Sequence, residues 1–287
     1  MSRGRRPNRI LSTLPIFAAV LAGAPARAQE SEGPAALAPK SSNAQPTGVL
    51  NALGSEAKLY LDDGAALFTA PFHWTAEGRK LAAGVVLLIA GTMVFDTRLA
   101  NESNEHRSSS TNSFSSYTTG LGASDAWILS GGLAVSGLVL KDQHLSVMGR
   151  EGIEASVMAG LIANILKPVF GRERPPAANN TVTFEPGSKN YSFPSGHATE
   201  AFSVASVIAA RSSGWIIPTL AYAGASAVAF DRVNDRAHFP SDVVAGAALG
   251  IVVGRFIVHR HERASEAPAT DISLAPLPHG LGLVAHF

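Results

Sequence analysis

Cysteine is absent from all 287 residues. That excludes a disulfide framework, a thiolate nucleophile and thiolate metal ligation, and leaves packing alone to hold the fold. Charge is sparse, at 16% of residues, and any excess of base is confined to the N-terminus. Residues 1–9 carry arginines, Ile10–Ala24 is an apolar run, and Ala26-Arg27-Ala28 is a small-x-small site. That order predicts a secretory signal peptide over residues 1–28. Setting it aside removes five arginines and no acid, so 18 Lys+Arg face 22 Asp+Glu, a balance of −4 in place of +1. A mildly acidic chain is not a nucleic-acid binder on bulk charge. Long uninterrupted hydrophobic runs are missing as well. The apolar segments are each about 13–17 residues, short of the roughly 20 needed to cross a bilayer.

Six such segments are present: Leu81–Phe95, Ala126–Leu140, Gly152–Leu166, Ala198–Ala210, Trp215–Phe230 and Val243–Val258. All are rich in Ala, Gly, Val and Leu with polar residues at their ends, which predicts an all-α bundle of six helices. Their small-residue content suits close packing inside a membrane, while Glu154, Asn164, Glu200 and Arg255 interrupt them; both readings stay open at this point. Residues 29–55 read as a flexible linker, rich in Ala, Pro, Ser and Gly without a period. The bundle domain then covers 56–262 and a tail 263–287. Within the tail, Pro-His-Gly between two partly alternating runs suggests an accessory β-hairpin. Tyr60–Trp74 is mixed and aromatic, and suits a short surface or interfacial helix. Asn101–Ser124 and Pro175–Tyr191 are long loops, which in compact domains are often functional.

Three clusters fall at helix boundaries. The first, ending the third segment, is "KPVFGRERP", Lys167 to Pro175. The second is "SFPSGHATEAF", where Pro-Ser before small residues signals a helix start that favours an anion at its exposed N–H groups. The third is "DRVNDRAHFPSD", Asp231 to Asp242. If successive helices alternate in direction, all three share one end of the bundle. Lys167, Arg174 and Arg232 then gather around His197 and His238, an arrangement that invites phosphate.

Lys167 with Arg174-Pro175 resembles K-x6-R-P, Pro194–His197 matches P-S-G-H, and Arg232, His238 and Asp242 match R-x5-H-x3-D. In that order they resemble the signature of the type 2 phosphatidic acid phosphatase family, which shares its fold with vanadium haloperoxidases. The resemblance runs from about Leu81 to Val258. It departs at Asp231, where the family has serine before the arginine.

The resemblance implies a phosphohistidine mechanism in which His238 is the nucleophile. Asp242 reaches back to its other ring nitrogen, and His197 is the general acid and then the base. Lys167, Arg174, Arg232 and the Ser195-Gly196 turn hold phosphate oxygens, and no metal or other cofactor is required, with vanadate expected as an inhibitor. Arg172 and Arg236 read as solvated or outer charges. The remaining histidines, His261 among them, read as surface residues.

The function implied is a metal-independent phosphatase acting on phosphomonoesters or pyrophosphates, with a lipid-linked substrate favoured by the apolar helices. A soluble periplasmic acid phosphatase and a vanadium haloperoxidase are the alternatives. The signal sequence places the protein in the cell envelope with a membrane as partner and its site facing the periplasm. Six full spans after a cleaved signal would instead turn that site inward.

Overall fold

The computed structural model describes residues 49–105, 107–108, 123–175, 180–266, 271–277 and 280–286. The expected signal peptide therefore lies outside the described residues. Seven α-helices are present among them, one more than the six expected: α1 Val49–Thr69, α2 Ala76–Glu105, α3 Ala123–Leu140, α4 Gln143–Phe170, α5 Gly196–Arg211, α6 Ile216–Asn234 and α7 Pro240–Glu266. The additional helix is α1, which begins inside the stretch expected to be a linker, takes in much of the short helix expected over Tyr60–Trp74, and continues into a 3-10 turn at Ala70–His73. After α7, the backbone of Asp271–Leu277 pairs antiparallel with that of Gly280–His286.

The helices outrun their apolar segments because Glu, Lys, Arg and Gln at the ends are good helix formers and extend a helix into solvent. In this way α2, α4 and α7 reach 27 to 30 residues, and each holds a stretch long and apolar enough to cross a membrane. Large apolar side chains lie exposed along several helices, among them Leu87, Val94, Leu138, Val139, Leu161 and Leu220. A water-facing surface does not ordinarily carry so many together.

The central pair is α5 on α7. Gly246, Gly250 and Gly254 recur every four residues and so line one face of α7. A Cβ at Gly250 would sit 2.3 Å from the Thr199 carbonyl, and one at Gly254 would sit 2.4 Å from that of Ser203. Backbones that close leave no room for a side chain, which is the use of small residues at membrane helix interfaces. Phe202, Ala205, Val243 and Ala247 fill the core beside this seam, with Ala225 and Ala229 of α6. The helix α1 docks through Leu67 onto Met158, Ala159 and Val253.

Between α4 and α5 the chain forms a strap over one end of the bundle. Asp142 caps α4 at its start, accepting from Leu145 N at 3.1 Å. Gly171 ends the helix in the left-handed region at φ 56°, its N–H bonded to the Lys167 carbonyl. A Cβ there would lie 1.8 Å from the Glu185 carbonyl oxygen. Glu185 N donates to Gly171 O and Ser192 N donates to Arg172 O, which folds the strap back on itself.

Candidate active site

All three boundary clusters meet at the strap end. The end of α4, the start of α5 and the α6–α7 junction converge there because antiparallel neighbours joined by short turns put alternate ends together. The contacts are specific. Ser195 N donates to the Asp242 carbonyl at 3.0 Å, tying the start of α5 to that of α7. The Lys167 ammonium lies over Gly196, 3.3 Å from where a Cβ would stand. Lys167 is thereby brought to the first turn of α5.

His238 is buried, and its Nδ1 lies 2.7 Å from the Ser192 carbonyl oxygen. A carbonyl can only accept, so Nδ1 carries the proton and, in the neutral ring, Nε2 keeps a bare lone pair. This corrects one expectation. Asp242 was to hold the ring directly, but its Oδ2 stands 3.7 Å from Nδ1, beyond hydrogen-bond range. The carboxylate is already engaged: Oδ2 accepts from Ser192 Oγ at 2.6 Å and Phe239 N at 2.8 Å, and Oδ1 from Arg172 Nη1 at 2.6 Å. Asp242 positions Ser192, and Ser192 positions His238.

Arg172 was expected to be a solvated or an outer charge, and the structure gives the second of these: it is fully buried. Its guanidinium pairs with Asp242, with Asp96 of α2 at 2.7 Å, and with Ser241 Oγ at 2.7 Å, and its Nε donates to the Thr181 carbonyl. The rings of Phe239 and Phe184 flank it, the former 4.4 Å away. Asp96 in turn accepts from Ser241 N at 2.9 Å. Asp96 and Ser192 join Arg172 as positioning residues, and neither stood out in the sequence. One signal was available: an aspartate directly following the apolar run of α2 must find a partner if it is buried. Arg236, by contrast, is exposed as expected.

His197 is half-buried on the first turn of α5. Its imidazole is held down at about 4, first by burial and then by the charges of Arg232, His238 and Lys167, with Asp231 opposing. Those influences place the cations around it. Ser195 differs in part from expectation. Its N–H is spent on Asp242, so the turn's anion donors are the first-turn amides beyond it, which lack intrahelical acceptors. The Ser195 hydroxyl is buried without a hydrogen-bond partner among the described residues. Arg174 is exposed at the rim, near enough to Lys167 for their charges to repel.

Asp231, which stands where serine was expected, does not point away. It is buried and accepts from Arg232 Nε at 3.1 Å and Nη2 at 2.5 Å, while Asp235 takes Nη2 at 3.3 Å. Any anion that uses Arg232 does so beside this carboxylate.

Residues 153–266 match the PAP2 superfamily. Over 112 residues the chain is 34% identical to a lipid A 1-phosphatase of Rhizobium etli, covering 37% of this chain and 47% of that protein. It is 33% identical over 100 residues to a decaprenylphosphoryl-5-phosphoribose phosphatase of Mycobacterium tuberculosis, covering 35% and 54%. It is 31% identical over 119 residues to an undecaprenyl-diphosphatase of Sulfolobus acidocaldarius, covering 41% and 57%. The chain spans about half the length of these curated relatives. In fold it resembles a transmembrane PAP2-type phosphatidylglycerolphosphate phosphatase from Bacillus subtilis, with a TM-score of 0.50 at 22% identity, over 63% of this chain and 96% of that one.

Proposed function

With residues 153–266 belonging to the PAP2 superfamily, we propose that this protein is a phosphoric ester hydrolase of the cell envelope acting on a lipid-linked phosphate or pyrophosphate. The observation that carries the reading is the buried His238, whose Nδ1 proton is held by the Ser192 carbonyl. The Nε2 lone pair is thereby ready for phosphorus.

In the first step Nε2 of His238 attacks phosphorus, the bond from phosphorus to the leaving oxygen breaks, and His197 gives that oxygen a proton. In the second, His197 takes a proton from water, the water oxygen attacks the phosphohistidine, and the P–N bond breaks to release phosphate. Lys167, Arg232, Arg174 and the first-turn amides of α5 offset charge on the equatorial oxygens. The scheme needs no metal. The lipid-linked substrate is favoured by the substrates in the relatives' names and by three helices apolar enough to cross a membrane. In this reading the six helices α2–α7 are the catalytic bundle, and the site end faces the periplasm.

The test is turnover of the purified chain on a panel of lipid and soluble phosphates, with His238→Ala beside it. Wild type should favour the lipid phosphates, resist chelators and be inhibited by vanadate. His238→Ala should lose all measurable turnover while remaining folded. Substantial activity in that variant, or a chelator-sensitive phosphohistidine step below the melting temperature, would sink the mechanism.

A further inference from the structure

A second cluster of ionisable groups lies at the other end of α7 and takes no part in the chemistry above. Asp242 and His261 are separated by about 28 Å of helix rise. His261, read from sequence as a surface residue, is half-buried between α1 and α4. Its Nδ1 is 3.1 Å from Glu151 Oε1, and Glu151 is fixed by a two-pronged pair with Arg211 at 2.7 and 2.6 Å. A carboxylate accepts only, so Nδ1 is a donor; the neutral ring would turn a lone pair on Nε2 the other way, and the charged ring an N–H.

That nitrogen faces two more acceptors. Asp63 Oδ2 lies 2.9 Å from Nε2 and Glu154 Oε2 lies 3.4 Å from it. Both acids are 1% exposed. These three atoms can be held together by protons or by a single metal ion. A lone proton on Nε2 serves Asp63 alone, because 3.4 Å is beyond a good hydrogen bond. Glu154 shares a side-chain hydrogen bond with Asp63, yet its Oε1 is buried with no hydrogen-bond partner among the described residues. An unpaired buried carboxylate is costly.

We propose that Asp63, Glu154 and His261 form a divalent transition-metal site that ties α1, α4 and α7 together. All their ligand atoms lie within 4.8 Å of one another. Metal bonds of about 2.0–2.2 Å to imidazole and carboxylate place neighbouring ligand atoms roughly 2.8–3.6 Å apart in octahedral or tetrahedral geometry, a range that holds the separations of 2.9 and 3.4 Å. Glu151 holding Nδ1 is the carboxylate–histidine pairing that orients a metal-bound imidazole. One nitrogen and two carboxylates, with no thiolate, suit zinc or manganese, and a dication offsets the two acids. An open pocket of about 80 Å³ lined by Tyr60, Glu151, Glu154 and His261 gives an ion its way in. Arg260, which also bonds Asp63, holds that ligand from outside. The ion's role is to fasten α1 to the bundle.

The experiment uses the full chain, purified in detergent and stripped with a chelator. Zn²⁺ is added in a calorimeter, and Co²⁺ is added while the visible spectrum is followed. One ion per chain should bind, the cobalt spectrum should leave that of the aqueous ion, and the melting temperature should rise with metal concentration. Glu154→Gln, nearly the same shape, should weaken binding by at least about tenfold, and Asp63→Asn likewise. The proposal is overturned if the folded chain takes up neither ion at about 100 μM, or if His261→Ala binds as tightly as wild type. It is equally overturned if Glu154→Gln melts above wild type with or without metal, since the cluster then holds a proton. Should Glu154→Gln fail to fold, the wild-type cobalt spectrum still decides: an unshifted aqueous spectrum excludes the site. Phosphohistidine formation below the melting temperature is independent of these outcomes, so they bear on the cluster and not on the hydrolase reading.

Discussion

At the scale of single residues, the chemistry turns on two histidines given opposite tasks by their surroundings. His238 is aimed by a carbonyl, whereas His197 is kept neutral in the free protein first by burial and then by the charges of Arg232, His238 and Lys167. A general acid must be protonated, so the substrate's own negative charge has to raise His197. Its pKa lies below the usual histidine value, so between about pH 4 and 6.5 the free folded protein holds less proton there than an exposed imidazole would. Phosphate or vanadate binding in that window should therefore draw in a proton. Calorimetry in buffers of different ionisation heat should record this uptake, and His197→Ala should abolish it. The same variant should slow phosphohistidine formation by roughly 10²–10⁴-fold for alkyl phosphates, and much less for p-nitrophenyl phosphate, whose leaving group is stable without a proton. Equal losses for both substrates would reduce His197 to a positioning role. Asp231 makes a separate prediction. Its carboxylate competes with an anion for Arg232, so Asp231→Ser should tighten vanadate inhibition by about tenfold, on the order of 1.4 kcal/mol. Weaker inhibition would mean that Asp231 holds Arg232 in its working position.

At the scale of elements, what matters is how closely α5 can approach α7. The seam is backbone against backbone, and it carries Ser195 and His197 at one rim with Asp242 opposite. Gly250→Leu must push the pair apart, because the added Cβ alone would fall 2.3 Å from the Thr199 carbonyl. The helices should separate near the site, with a loss of several kcal/mol in stability and of turnover with it. A thermal melt and an activity assay on the same sample check this, and a variant of wild-type melting temperature would show that the seam yields freely. The strap is the other decisive element. Arg172 bridges Asp96 of α2 to Asp242 of α7, so one buried cation joins three parts of the chain around His238. The six apolar segments and three boundary clusters were legible as sequence, but this bridge was not. Arg172 stands two residues from Arg174 in a run of charges, and nothing local separates the one that turns inward from the one that stays at the rim.

At the scale of the whole molecule, the helices present apolar faces outward and gather their chemistry at two opposite ends. The exposed apolar side chains along the bundle call for lipid. Alkaline carbonate and high salt should therefore leave the protein in the membrane pellet; release by either would mean that the bundle lies on the membrane or beside it. A tag in the Pro175–Tyr191 loop, close to His238, should be reached from the periplasmic side. Access only from the cytoplasm would reverse the orientation.

The sequence by itself determined the helical class, and it singled out the candidate histidines and the cations near them. Those follow from apolar periodicity and from three motifs whose spacing survives any detail of packing. Which histidine nitrogen is held, and by what, was decided only in three dimensions. Asp242 lies four residues from His238 and by spacing alone should take its ring, but Ser192, forty-six positions upstream, brings its carbonyl closer. The fate of His261 was likewise invisible, because its partners come from α1 and α4, far away along the chain. Spacing along a helix reports what a side chain can reach. Only the neighbouring elements determine which of those reachable groups is already occupied.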